Sequence, residues 1–202
     1  MPESWRFISG ESLPESGSLT KKAALACCLL LWWLIMKLYT IDTNYIQYLE
    51  KHQTHIWANQ DKGRLRPYVG VVLEMNDHKY YAPLSSPKLK HTHMQDRLDF
   101  IRLEHKNRLI AVINLNNIIP VNDCILSKID IANIKDIKYK DLLNIEMIDI
   151  RRKRDIILRN AKSIYTKTTK FRNEPQNKNL VAICYDFKIL EQKLADYMDD
   201  KI

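Results

Sequence analysis

Tyr68-Val69-Gly70-Val71-Val72-Leu73-Glu74-Met75, then Asn76-Asp77-His78, then Lys79-Tyr80-Tyr81-Ala82-Pro83-Leu84-Ser85-Ser86-Pro87-Lys88: the reading of this stretch decides the fold. The first run is almost wholly apolar and reads as a buried strand. The polar triplet reads as a tight turn, and Lys79 to Pro83 pairs back as the second strand of a hairpin. Pro83 and Pro87 fix their own φ and restrict the residues before them, so Leu84 to Ser86 have few shapes open to them. The corner carries two adjacent hydroxyls and, two residues on, an ammonium group. Such a set at a strand end suits a phosphate, although its Pro/Ser composition also suits an ordinary turn.

On the N-terminal side, Lys37 to Asp42 alternates polar and apolar residues as a half-buried strand does. Asp42 or Thr43 caps a short helix carrying Tyr45, Ile46, Tyr48 and Leu49. His52 to Arg66 is polar, contains Gly63, and reads as a loop. On the C-terminal side a second hairpin is expected at Phe100–Leu103 and Leu109–Asn114, around Glu104 to Arg108, then short strands at Asn117–Val121 and Ile125–Ile129. Antiparallel neighbours with short connections predict an α+β protein built on a curved antiparallel sheet or partly open barrel flanked by helices.

The C-terminal third reads as helical. Asp136 to Ile150 gathers Ile137, Leu142, Ile145 and Ile148 near one face, and Arg154 to Lys170 does the same with Ile157, Leu158, Ala161, Ile164 and Tyr165. Phe171 to Asn179, with Pro175, reads as a polar linker. In Asp186 to Tyr197 the stripe of Phe187, Leu190 and Leu194 reads as core packing. Arg151-Arg152-Lys153-Arg154 is either a solvated helix junction or a contact to a phosphate backbone.

The chain has 202 residues and a formal charge of +8, which fits one domain with an appendage and favours a polyanionic partner, either nucleic acid or an anionic membrane surface. GxGxxG, P-loop and HExxH signatures are missing. Cys27, Cys28, Cys124 and Cys184 form no CxxC pair, which argues against a zinc site and a disulfide framework and for a reducing compartment. His91 and His93 would share one face if their segment were a strand, but no carboxylate or cysteine stands beside them at ligand spacing. The reading calls for no cofactor and no metal.

Residues 1–35 differ from the rest. Met1 to Thr20 is rich in Ser, Glu, Pro and Gly; Lys21-Lys22 then precede the apolar run of 14 residues from Ala23 to Met36. That run is short for a membrane span, which needs about 20 residues, and no small-x-small cleavage site follows it. Three readings stand: an extension upstream of a true start at Met36, a membrane anchor over residues 23–41, or a signal peptide. The first is the expectation, with residues 36–202 as the functional domain in the cytoplasm.

Five segments together resemble a known family. They are Met36 to Asp42 (MKLYTID), Arg66 to Glu74 (RPYVGVVLE), Tyr81 to Lys88 (YAPLSSPK), Ala111 to Val121 (AVINLNNIIPV) and Asp186 to Glu191 (DFKILE). In order and spacing they look like the ToxN/AbiQ toxins of type III toxin–antitoxin systems. The resemblance implies an α+β fold similar to the MazF/Kid toxins. It also implies an endoribonuclease that cuts adenine-rich RNA without a metal and leaves a 2′,3′-cyclic phosphate. As partners it implies substrate RNA and a pseudoknot repeat RNA as antitoxin, assembled as a closed ring of alternating protein and RNA, and a role in aborting phage infection. The family's catalytic loop residues map onto Ser85, Ser86 and Lys88, and a basic residue before the first long strand maps onto Arg66. A tyrosine that some members carry upstream has no match; Lys62 stands at the nearest place.

The residues themselves support this chemistry. In RNA the 2′-hydroxyl attacks its own 3′-phosphate, so the protein must align the attack, stabilise the phosphorane charge and move two protons. Ser85 and Ser86 supply donors, and Lys88 and Arg66 supply positive charge. His78 or His91 could shuttle a proton, although each reads as a surface histidine. An RNA-binding surface is expected from Lys62, Arg64, Tyr68, Tyr81, Lys90, His91, Arg151, Arg152 and Lys153. Tyr68, Tyr80 and Tyr81 could stack on bases, with at least one of them facing the core instead. Two alternatives stay open: a non-catalytic RNA-binding module, and a membrane-tethered interaction protein.

Overall fold

Two tight turns build most of the sheet. β4 (Tyr68–Met75) and β5 (His78–Ser85) join through Asn76 and Asp77, whose φ angles of 50° and 63° are left-handed. Short polar side chains tolerate that region, and two such residues give the hairpin turn whose twist matches the strands. β6 (Phe100–His105) and β7 (Arg108–Asn114) turn likewise through Lys106 and Asn107, at 47° and 58°. Both hairpins are tighter than expected, because a two-residue turn lets pairing continue through the polar residues beside it: Met75 faces His78, and His105 faces Arg108. The structure, a computed structural model, describes residues 36–54, 56, 58–61 and 63–200, the side chain of Asp61 excepted. The readings of residues 1–35, and the expectation for Lys62, lie outside them.

β5 is paired along both edges. One edge meets β4. The other meets β8 (Ile119–Pro120) at Tyr80 and Tyr81, then β7 at Leu84 and Ser85. Pro83 falls between these two partners. The Leu84 N–H donates to Pro67 O at 2.9 Å, so the missing N–H of Pro83 lies on the opposite edge, where the partner changes and no ladder donor is needed. β5 therefore runs to Ser85, two residues beyond expectation. Beyond β4 come β1 (Lys37–Ile41) and β9 (Leu126–Lys128), giving an open, antiparallel order β6-β7-β5-β4-β1-β9 with β8 beside β5. Gly70 on β4 lets the Tyr81 ring approach: a Cβ there would stand 2.0 Å from its Cδ1. Where a loop was expected before Arg66, β2 (Gln60–Asp61) and β3 (Arg64–Leu65) form a small hairpin about Gly63, at φ 77°.

Five helices are described. α1 (Thr43–His52), α2 (Ile137–Arg152) and α5 (Phe187–Asp199) are capped by the carboxylates of Asp42, Asp136 and Asp186, each accepting first-turn N–H groups. α3 is Arg154–Thr168, and α4 (Lys178–Ile183) follows a turn begun by Pro175 inside the expected linker. α2 packs on β6, α3 on β4, and α5 on β8 and α1. No helix among the described residues is long and apolar enough to cross a membrane.

α2 corrects the expected face. Leu143, Glu146, Met147 and Ile150 are buried, at a spacing of three, one and three residues, whereas Ile137 and Ile148 are 72% and 64% exposed. A pattern that assigns carboxylates to solvent places this helix wrongly, because Glu146 faces inward.

α5 is fixed to β5 by a buried polar cluster. The Tyr80 and Tyr165 hydroxyls both donate to Glu191 Oε1 at 2.6 Å, and Lys188 Nζ donates to Oε2 at 2.7 Å. Burial pushes the Glu191 carboxyl up, but these hydrogen bonds outweigh it and hold it below its ordinary value. The folded carboxyl binds its proton later than the unfolded one, so the cluster stabilises the protein above the ordinary carboxylate range. That stability is lost as pH falls through it. Replacing Glu191→Gln should lower stability by about 2–3 kcal/mol at pH 7 and flatten the acid limb of a thermal-unfolding series between pH 6 and 3.

Candidate active site

The end of β5 carries the site. Ser85 closes the strand and is buried, Ser86 is half-buried, and Pro87 and Lys88 are exposed. Lys88 is extended and opens a 3-10 turn over Leu89–His93. His91 anchors the return: its Nδ1 accepts from the Lys88 N–H at 3.1 Å, its own N–H donates to Lys88 O at 2.8 Å, and its ring meets Phe100 edge-on at 5.2 Å. His91 is thus 5% exposed, not a surface residue, and lies in a turn, so His91 and His93 do not share a strand face. Burial pushes the imidazole below its ordinary value, and the Lys90 and Lys88 charges push the same way. With Nδ1 accepting, the neutral ring carries its hydrogen on Nε2 and presents a donor.

Arg66 reaches the corner from the segment before β4. Its Nη1 donates to Ser85 Oγ at 3.0 Å, its Nε to Ala58 O at 3.1 Å, and its backbone N–H to Asn59 O at 2.6 Å. Asn59, buried, holds that segment to the sheet by donating to Ile41 O and Thr43 Oγ1 at 2.9 and 3.0 Å. Ser85 Oγ, already accepting from Arg66, has its own hydrogen to give to another acceptor.

Arg66, Ser85, Ser86, Lys88, Lys90 and His91 line one open cleft of about 490 Å³. The four expected catalytic residues are therefore brought together, with two of the expected binding residues. The sequence reading missed Asn114, at the end of β7. It lines the same cleft, is 8% exposed, and its Nδ2 has no hydrogen-bond partner among the described residues. A buried amide without a partner is costly; its only sequence signal is a polar residue closing the apolar run Ala111 to Ile113.

Several expected binding residues lie elsewhere. Tyr68 and Tyr81 are each 2% exposed and Tyr80 is fully buried, so none of the three presents a face to a base. Both faces of β5 are buried here, and Tyr81 packs edge-on against Tyr39 at 5.3 Å. Arg152 pairs with Asp149, and Lys153 Nζ donates to Arg102 O at 2.6 Å, tying the α2–α3 corner to β6. Arg151 is exposed, and none of the three lines the cleft. Arg64 pairs with Asp136 at 2.6 Å and sits 4.5 Å above the Tyr139 ring.

The profile of a family described as Toxin ToxN, type III toxin–antitoxin system, matches residues 37–195. The chain belongs to the ToxN family. Among ToxN relatives, Endoribonuclease ToxN of Bacillus thuringiensis subsp. kurstaki is 31% identical over 167 residues, covering 81% of this chain and 84% of that protein. A solved structure concerned with selective toxin inhibition by a non-coding RNA pseudoknot aligns with a TM-score of 0.73 at 29% identity, covering 81% of this chain and 98% of that one. Another, concerned with a processed non-coding RNA that regulates a bacterial antiviral system, aligns with a TM-score of 0.70 at 28% identity, covering 80% and 98%.

In this ToxN-family site the folded His91 takes a proton at lower pH than the unfolded chain does. Its contribution is present above the ordinary histidine value and is lost as pH falls through it, by at most about 1.4 kcal/mol per pH unit. Thermal unfolding from pH 7.5 to 5.5 should therefore show a smaller loss of Tm in His91→Gln than in the parent protein.

Proposed function

We propose that the chain, an endoribonuclease by family, cuts RNA at the Ser85–Lys88 corner by aligning a 2′-hydroxyl with its own 3′-phosphate. The observation that carries this reading is the convergence of Arg66, Ser85, Ser86 and Lys88 on one cleft, with Arg66 bonded to Ser85. The Ser85 and Ser86 hydroxyls donate to the non-bridging oxygens. Arg66, Lys88 and Lys90 supply positive charge where the phosphorane becomes more negative. Arg66 also holds Ser85 in its rotamer, so that donor is set before substrate arrives. The Asn114 amide adds a donor at the same wall, and the Nε2–H of His91 another.

The finer reading rests on the family resemblance of the sequence. Cutting needs no metal, falls at adenine-rich sites and leaves 2′,3′-cyclic phosphate ends. The sheet is of the MazF/Kid kind. A repeat RNA folded as a pseudoknot holds the toxin inactive in a closed ring of alternating protein and RNA in the cytoplasm, and the system serves to abort phage infection. Residues 36–202 form the toxin domain, and residues 1–35 are an extension to it.

The purified chain, incubated with adenine-rich RNA in EDTA, should give fragments ending in a 2′,3′-cyclic phosphate. Ser86→Ala should slow cutting by about 10²–10³-fold. RNA left intact, or cut equally fast by Ser86→Ala, would contradict the proposal. RNA bound but uncut, with salt-sensitive affinity, would mark a binding module instead.

A further inference from the structure

Ser85 and Ser86 line a second hollow as well as the catalytic cleft. It measures about 140 Å³, roughly the room taken by five waters. That suits one flat heterocycle better than a whole nucleotide. Pro67, Leu84 and Leu143 form an apolar part of its wall, and Leu65 and Leu142 beside them stay 42% and 36% exposed. Arg64, held over the Tyr139 ring, adds a planar cation of the kind on which bases stack. Glu146 completes the hollow from α2. It is 4% exposed and, among the described residues, forms no hydrogen bond or ion pair. A buried carboxyl without a partner is costly to keep, and this one shares a wall with the serine pair.

We propose that this hollow is a base-reading subsite in which the Glu146 carboxyl grips the hydrogen-bonding edge of the nucleobase flanking the scissile phosphate. The inference rests on the nuclease reading and adds to it the residue that selects the base. Burial alone raises the Glu146 carboxyl to about 8. The other charged and titratable groups in the hollow are Arg64, paired with Asp136, and Tyr139. At pH 7 Glu146 is therefore protonated, with an O–H donor beside a carbonyl acceptor. It pairs with a base edge that sets an acceptor beside a donor. Once ionised it only accepts, and then favours the two adjacent N–H donors of guanine. Glutamine keeps a donor and an acceptor side by side at every pH.

The test uses the full chain and an RNA pool randomised around the cut, with cleavage ends read by sequencing. The parent protein should show one flanking position whose base controls cutting. Glu146→Gln should keep that preference, and Glu146→Leu should erode it by roughly tenfold to a hundredfold. Between pH 7 and 9 the parent preference should weaken in favour of guanine, while that of Glu146→Gln holds. Tm values near the parent's show that each variant is folded. Cutting with no flanking preference, or with a preference unchanged in Glu146→Leu, overturns the inference alone. A pool left uncut by the parent protein overturns the nuclease reading and this inference with it.

Discussion

β5 is hydrogen-bonded along both edges until its last residue, and the site depends on that constraint. A strand held by β4 on one side and by β8 and β7 on the other cannot slide, because a slip of one residue would turn its buried tyrosines toward the wrong layer. Ser85 is therefore delivered at a fixed height and on a fixed face. Pro83 marks the place where the second partner changes, and Pro87 follows two residues after Ser85, where the strand has ended. The tyrosine–glutamate cluster clamps the middle of β5 to α5 from the core side. Residues distant from the cleft thus hold its position.

At the strand end the chain sets two hollows against one pair of hydroxyls. The first is basic, with Arg66, Lys88 and Lys90 facing one open space. The second has Pro67, Leu84 and Leu143 in its wall and contains one buried acid. Such a division matches what a nucleotide presents: a phosphate that needs donors and charge, joined to a base that needs apolar walls and an edge partner. The +8 charge of the chain draws a polyanion in, but the geometry at Ser85 and Ser86 decides which bond of it is presented.

What could be read from the sequence was local. The cap at Asp42, the helix starts at Asp136 and Asp186, the turn at Asn76–Asp77 and the proline-bound corner at Ser85–Lys88 depend on neighbours a few residues away, and each stands close to where it was expected. What could not be read was set by packing from afar. The inward turn of Glu146 inverts the expected face of α2, and no periodicity rule anticipates a buried acid. Burial of both faces of β4 and β5 removes Tyr68 and Tyr81 from the surface, since alternation shows that neighbours point opposite ways but not that both sides are covered. His91 and Asn114 join the cleft because a turn and a neighbouring strand bring them there, across 5 and 28 residues from Ser86. The basic run at Arg151–Arg154 reads equally as junction or contact in sequence; the bonds of Arg152 and Lys153 to Asp149 and Arg102 favour the junction.

The central claim is that the scissile phosphate sits against the paired hydroxyls at the end of β5. A crystal structure of the protein bound to an RNA with a single 2′-deoxy sugar at the cut site, which blocks attack, tests it most directly. The account predicts that phosphate within hydrogen-bond distance of Ser85 Oγ and Ser86 Oγ, facing Arg66 and Lys88. A phosphate bound instead at the Arg151–Arg154 corner, with the serine pair left empty, would contradict it.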